Sequence, residues 1–420
     1  MAMVTCCARA QDARAVDAGV DELASRPVEE LTSPPDGADA WTRACSMGRR
    51  ACLGVSPGTP EALGTATLEA LERVWDLLVF GIGLPPPVGT DDGRWELYLV
   101  ERVEDGWSDA FLSGREPLPS FDRGSSFGVI DRSTPVGCPL ERAVGYAIAR
   151  GSLWRSAPAT DEGSARAQAE MLARLASPCA ADADDIRAFQ SQPDRCIIDP
   201  RSASFDRGAS VFFGWLDETF GARPGGLVVG LSALSPTLTH AATWNAGRWS
   251  DTPTAFDVLR VSLRDALWQG STLDDLFVEF AVARGLSGDP RPPIGWRVPW
   301  PARPRRLASP AAVAPTGASY VVVDCAGAPS GARLRVEMEW EDYARMRWVV
   351  VKVDPAGRAL ARLSVGSPDR ATHAGMTVSS LDGVDHVLVV GVNVGDPDHA
   401  FDPDAQRWEP HGWLLTVAAE

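Results

Sequence analysis

Between Pro60 and Leu84 the apolar residues recur at the helical interval. Leu68, Leu71, Val74, Trp75, Leu78 and Val79 fall on one stripe, as a period of 3.6 residues requires. Gly81, Gly83 and the prolines from Pro85 to Pro87 end the run. The next pattern is different. "RWELYLVERV" alternates in part and is rich in strand formers, and "SSFGVIDRS" follows as a second run of that kind. A small α/β unit over 41–140 is expected. Before it, residues 1–40 are acidic, poor in aromatics and carry a Pro-Pro pair, the composition of a leader or disordered linker.

From 141 to 290 the period is helical again. "RGASVFFGWLDETFG" sets Val211, Phe212, Trp215, Leu216 and Phe220 on one broad face and stops at Gly221. "TAFDVLRVSLRDALWQG" stops at Gly270. "STLDDLFVEFAVARGL" opens on Ser271 with Asp274 three residues later, a carboxylate form of the capping box, and closes at Gly285. The proline-rich stretch 291–309 has no period and reads as an extended strap. After 310, short β-type runs such as "ASYVVVDCAG", "ARLRVEMEWE" and "DHVLVVGVNVG" alternate with Gly, Pro and Asp turns. Six or seven such strands in about 110 residues argue a β-sandwich over 310–420. The fold class is thus α+β and multidomain: an N-terminal α/β unit, a central helical domain and a C-terminal antiparallel sandwich.

Composition narrows the function. A formal charge of −16 and a pI near 4.8 exclude a nucleic-acid partner, since phosphate neutralisation needs a basic surface. Lys352 is the only lysine, a codon-bias signature that keeps the abundant arginine from being read as phosphate recognition. No apolar run approaches the roughly 18 residues of a membrane span. "ARAQ" (Ala8 to Gln11) has the small-x-small outline of a signal-peptidase site without the apolar stretch before it. A signal peptide truncated at the given start, and hence export or an envelope location, is the reading preferred over a cytoplasmic one. The cysteines agree with it. Cys45 and Cys52, and Cys179 and Cys196, are spaced for short-range disulfides, although connectivity does not follow from spacing. The opposing reading is a cytosolic protein with free thiols.

The centre of the chain carries a resemblance. "AVGYAIARGSLWR" followed by "TDEGSARAQAEMLARL" resembles the two helices of gluzincin-type (HExxH) secreted bacterial metallopeptidases, with Glu162-Gly163-Ser164-Ala165 similar to the EGxA of the second. In such enzymes two histidines four apart bind zinc, the glutamate between them activates water, and a glutamate on the later helix is the third ligand. The resemblance therefore implies a peptidase-like helical domain, and it places Tyr146, Ala147 and Arg150 where His, Glu and His would stand. Arginine is a permanent cation and cannot bind zinc, and Ala147 has nothing to take a proton. Tyr146, Ala147, Arg150 and Glu162 are thus a vestigial site, and no cofactor is expected. Arg150 is read either as solvated or as an ion pair with Glu162. Glu162 is read either as a relic ligand or as a carboxylate in the first turn of a helix capped by Thr160.

Other constellations are weaker. "GSSFG" (Gly124 to Gly128) has the GxSxG outline of a nucleophile elbow but lacks a helix after it, so a tight loop around Ser126 is expected. Asp396, Asp398, Asp402 and Asp404, with His399 and His411, form an acidic loop that is a candidate calcium site without EF-hand spacing. Trp75, Trp215 and Trp268 fall on apolar stripes, whereas Trp244, Trp249, Trp296 and Trp300 lie in loop-like sequence where an indole face could stack on a sugar. The function expected is that of an exported noncatalytic protein, binding or structural at the cell envelope, with a protein or glycan ligand. The alternative is an active hydrolase using Glu162, Ser126 or the Asp396–His411 loop.

Overall fold

A computed structural model describes residues 35, 37–89, 93–101, 111–118, 121–156, 162–177, 183–197, 203–238, 255–264, 272–287, 292–342, 344–366, 371–395 and 410–420. Helices and several sheets are both present, and they fall into two compact units.

The first unit holds 16–186 and 200–269. Its sheet has the order β1-β2-β3-β5-β4, from β1 (Thr42–Cys45), β2 (Ala51–Val55), β3 (Trp95–Val100), β4 (Phe111–Leu118) and β5 (Phe121–Asp131). β2, β3 and β5 run parallel, and antiparallel strands close both edges. β1 and β2 form a hairpin in which Cys45 faces Cys52, and the two are joined by a disulfide. Helix α1 (Glu61–Trp75) continues into a π-helical segment, Asp76–Ile82, and stops at Gly83 with φ 91°, as the glycines at this end of the pattern required. Trp75 of α1 packs on Trp95 of β3 at 6.3 Å between ring centroids.

The remaining described helices of this unit are α2 (Cys138–Ser156), α3 (Glu162–Ala176), the first half of α4 (Ala183–Gln190), α5 (Ala203–Gly208), α6 (Ser210–Phe220), α7 (Gly226–Leu238) and α8 (Ala255–Arg264). The boundary expected at 140 does not separate two units, because α2 packs directly on the sheet. Gly151 lies so close to it that a Cβ would meet Pro87 and the Ser126 hydroxyl at 2.9 Å and Trp95 Nε1 at 3.0 Å. Small residues bring α2 equally close to α3, where a Cβ on Gly145 would stand 3.3 Å from Ala173 and Ala176.

The second unit holds 187–199 and 270–420. It is a sandwich of two sheets, ordered β11-β10-β13-β8-β6 and β12-β9-β14-β7. Its strands are β6 (Trp296–Val298), β7 (Arg305–Ala308), β8 (Ala318–Asp324), β9 (Leu334–Trp340), β10 (Met346–Val353), β11 (Ala359–Val365), β12 (His373–Val378), β13 (His386–Asn393) and β14 (Trp413–Ala419). Every pairing is antiparallel except β6 with β8. Val323, Val350 and Val389 from one sheet meet Val336, Met338 and Leu415 from the other in the core between them.

The proline-rich strap is thus not a linker. It supplies β6 to one sheet and β7 to the other, each as an edge strand, with Pro299, Pro301 and Pro304 between the two strands rather than in them. Helix α9 (Leu273–Leu286), expected in the helical domain, belongs to this unit. Its capping box is Thr272 with Asp275, one residue after the expected pair. Gly285 lies inside the helix rather than ending it, and a Cβ there would come within 2.7 Å of the Tyr320 ring. The segment 187–197 is knit into the same unit. Arg284 of α9 donates to Gln190 Oε1 at 2.7 Å and to the Phe189 carbonyl, and its guanidinium covers the Phe189 ring at 4.0 Å. Ala314 N and Ala318 N donate to the carbonyls of Asp194 and Pro193, and Ile197 N donates to Thr316 Oγ1. In the DPAG turn, Asp354 accepts from Ala356 N and Arg358 N, and Gly357 takes φ 78°.

Candidate functional site

Helix α2 carries Tyr146, Ala147 and Arg150, and along this stretch it is enclosed on every side. Val144 to Leu153 are buried without interruption. Tyr146 is 7%, Ala147 0% and Arg150 4% exposed. The solvated reading of Arg150 is therefore corrected: its guanidinium is held inside the protein. Glu162 is the first residue of α3, but its side chain and Thr160 lie outside the described residues, as does any meeting of Glu162 with Arg150.

The chemistry around α2 and α3 is a set of ion pairs that sequence reasoning missed. Glu170 of α3, almost fully buried, accepts from Arg142 of α2 and from Arg174 one turn further on, the latter at 3.1 Å. Asp185 of α4 accepts from the Ser204 hydroxyl at 2.5 Å and from Arg207 Nε at 2.8 Å, both on α5. Asp206 of α5 accepts from Arg166 of α3 at 3.1 Å. Burial pushes the Glu170 carboxyl above its ordinary range, against the pull of Arg142 and Arg174. Burial likewise lowers the Arg174 guanidinium, with Glu170 opposing. The Glu170–Arg174 spacing of four on a helix was the one signal in the sequence that could have shown part of this network.

The charges of this centre are paired with one another. Its carboxylates are each held by guanidinium groups, and no imidazole is among these partners. Among the described residues no group of three or more His, Cys, Asp or Glu could hold a metal ion. Ser126 does not sit in a tight loop. It lies within β5, it is buried, and its hydroxyl accepts from Trp95 Nε1 at 3.2 Å. Gly128 of "GSSFG" serves packing, since a Cβ there would meet Leu97 at 2.8 Å and Trp95 at 2.9 Å.

The remaining candidates divide by position. Asp396, Asp398, His399, Asp402 and Asp404 lie outside the described residues, as do Trp244, Trp249 and Trp268. His411 pairs with Glu341 at 3.0 Å and His386 with Asp385 at 2.8 Å, both in the second unit. Trp300 packs against the sandwich core. Trp296 is 40% exposed, and its Nε1 donates to the Ala308 carbonyl at 2.7 Å. Cys138 and Cys196 are disulfide-bonded in addition to Cys45 and Cys52, while Cys179 lies outside the described residues. Cys325 is free and buried. No helix among the described residues is long and apolar enough to cross a membrane.

No family model matches the chain. No curated protein matches it either. Solved structures that it resembles include the pre-peptidase C-terminal domain of a collagenase from Bacillus anthracis. That likeness is 9% identical with a TM-score of 0.20, and it covers 30% of this chain and 97% of that one. Another is chitosan-binding module 1 of a chitosanase/glucanase from Paenibacillus sp. IK-5. It is 16% identical with a TM-score of 0.17, and the match covers 27% of this chain and 75% of that one. Scores of this size carry no inference about function.

Proposed function

We propose that this is an exported, noncatalytic protein whose first unit has the layout of a gluzincin-type peptidase without its metal, and whose work is to bind a ligand or partner at the cell envelope. One observation carries the reading. Arg150, in the place of the second zinc-binding histidine, is buried at 4% exposure on a helix enclosed along Val144 to Leu153. A cation fixed there repels a metal ion, and no open face of α2 is left to meet a substrate. The ion pairs of Glu170, Asp185 and Asp206 support it, because they fill the surrounding interior with charges already neutralised. Export is supported by the disulfide-bonded cysteines, since disulfides persist in oxidising compartments.

Metal analysis of protein equilibrated with zinc and then desalted tests the first part. No stoichiometric zinc is expected, and one equivalent held in the chain overturns the reading. Thiol titration in denaturant tests the second. Far fewer than the chain's eight cysteines should react, and eight reactive thiols in freshly purified protein overturn export.

A further inference from the structure

The edge of the sandwich formed by β6 and β7 differs in charge from the rest of the chain. Between Pro290 and Val323 there are five arginines and no Asp or Glu, in a protein of net charge −16. The structure places 296–308 of this stretch at one edge, because β6 ends one sheet and β7 ends the other, and the Trp296 indole bridges them through its bond to the Ala308 carbonyl. Two of the arginines are already engaged. Arg297 pairs with Asp324 and Arg306 with Glu339. Arg303 and Arg305 are exposed and have no carboxylate partner among the described residues. At the strand rise of about 3.3 Å per residue, Arg305 lies about 10 Å along β7 from the carbonyl that fixes Trp296.

We propose that this edge binds an acidic polysaccharide, with a sugar ring stacked on Trp296 and carboxylates of the chain paired with Arg303 and Arg305. The proposal rests on the binding role argued above and names its ligand class. A guanidinium fork matches a carboxylate with two parallel hydrogen bonds. An indole presents a broad apolar face on which the C–H face of a pyranose ring can lie, and anchoring Nε1 holds that face in one orientation before the ligand arrives. An acidic peptide could satisfy the arginines by adding to a sheet edge. That mode needs a long unbroken edge, whereas β6 has three residues and β7 four, with Pro299, Pro301 and Pro304 between them. Trp296 and the two unpaired arginines together therefore favour the sugar.

The test is calorimetric titration of the full chain with an oligogalacturonate. The comparison probes are its carboxyl-reduced neutral form and a polyglutamate of equal charge. Binding of the uronate alone is expected, and it should weaken as salt rises. The double variant Arg303→Ala/Arg305→Ala leaves the core untouched and should abolish uronate binding. Trp296→Ala should weaken it by about tenfold, while Trp296→Phe, which keeps a ring, should retain more than Trp296→Ala does. Arg50→Ala, which removes one positive charge from the first unit, should leave it unchanged. No uronate binding at low salt, or binding that survives the double arginine variant, overturns the proposal. Polyglutamate bound as tightly with the same dependence on Arg303 and Arg305 also overturns it, in favour of a peptide partner. These failures leave the noncatalytic reading standing, since that reading falls on its own result, retained zinc.

Discussion

The two units solve the problem of an interior in opposite ways. The core between the sandwich's two sheets is Val, Leu, Met and Trp, pairs such as Arg306–Glu339 stand in solvent, and the buried Arg284 of the same unit lies outside that core on α9. The helical unit admits charge. Glu170, Asp185 and Asp206 are all buried between helices and are held by Arg142, Arg174, Arg207 and Arg166. A buried carboxylate between guanidiniums is no cheap substitute for leucine, because desolvation cancels much of the Coulomb gain. What the network supplies is fixed geometry: the pairs tie α2 to α3, α3 to α5 and α4 to α5, and each fails if one helix shifts.

That contrast can be broken from its most sensitive point. Glu170→Ala strands Arg142 and Arg174 in a low-dielectric interior and is expected to cost about 3 kcal/mol. Glu339→Ala, which removes one partner of an exposed pair, should cost less than about 1 kcal/mol. Hydrogen exchange resolved by peptide makes the comparison. Loss of protection in α2 and α3 should be large for Glu170→Ala, and the sandwich strands should barely respond to Glu339→Ala. Equal effects would show that the two interiors do not differ.

The sandwich should be more sensitive to volume than to charge. Trp348 lies over Gly391, where a Cβ would stand 2.6 Å from the indole. Gly391→Ala forces the ring off its site and should cost about 1–3 kcal/mol, read from protection of β10 and β13. A change without effect would mean that this core is loosely packed.

The smallest expected effect is the sign of the pH response. The folded Glu170 carboxyl titrates above its ordinary 4.5, because burial outweighs its two arginines. Its contribution to stability is full below pH 4.5 and is lost as pH rises through the folded value. Asp354 is the reverse. Hydrogen bonds from Arg358 N, its side chain and Ala356 N hold it below the ordinary 3.8, so its contribution is present above pH 3.8 and is lost as pH falls. Glu170→Gln should therefore remove a gain in α3 protection on acidification, and Asp354→Asn should remove a loss in the β10–β11 hairpin. Responses of the same sign would contradict the opposed environments.

The same contrast explains how much could be read from the chain. "ARLRVEMEW" alternates strictly, and β9 alternates buried with partly or fully exposed positions in the same register. The DPAG turn was equally legible, since proline and glycine act through their own backbones. The strap was misread because its prolines flank two strands of three and four residues that contain none, runs too short to show a period of their own. The candidate site was legible only as a set of absences. Tyr146, Ala147 and Arg150 were legible as departures from a zinc motif, but periodicity has no means of announcing that an arginine on a helix is buried. Ser126 shows the same limit, since the neighbours that enclose it come from β3 and α2.

The sequence by itself determined the two kinds of secondary structure, the main β-runs of the sandwich, the stops at Gly83 and Gly221 and the absence of histidine from α2, because each depends on residues close in the chain. Tertiary structure decided the rest. It joined the sheet and the helices into one unit, drew 187–197 and α9 into the other, buried Arg150 and paired Glu170 with Arg142. It also set Trp296 beside the end of β7 on an edge that carries Arg303 and Arg305. Those outcomes depend on which distant surfaces exclude water together, and no local pattern encodes that.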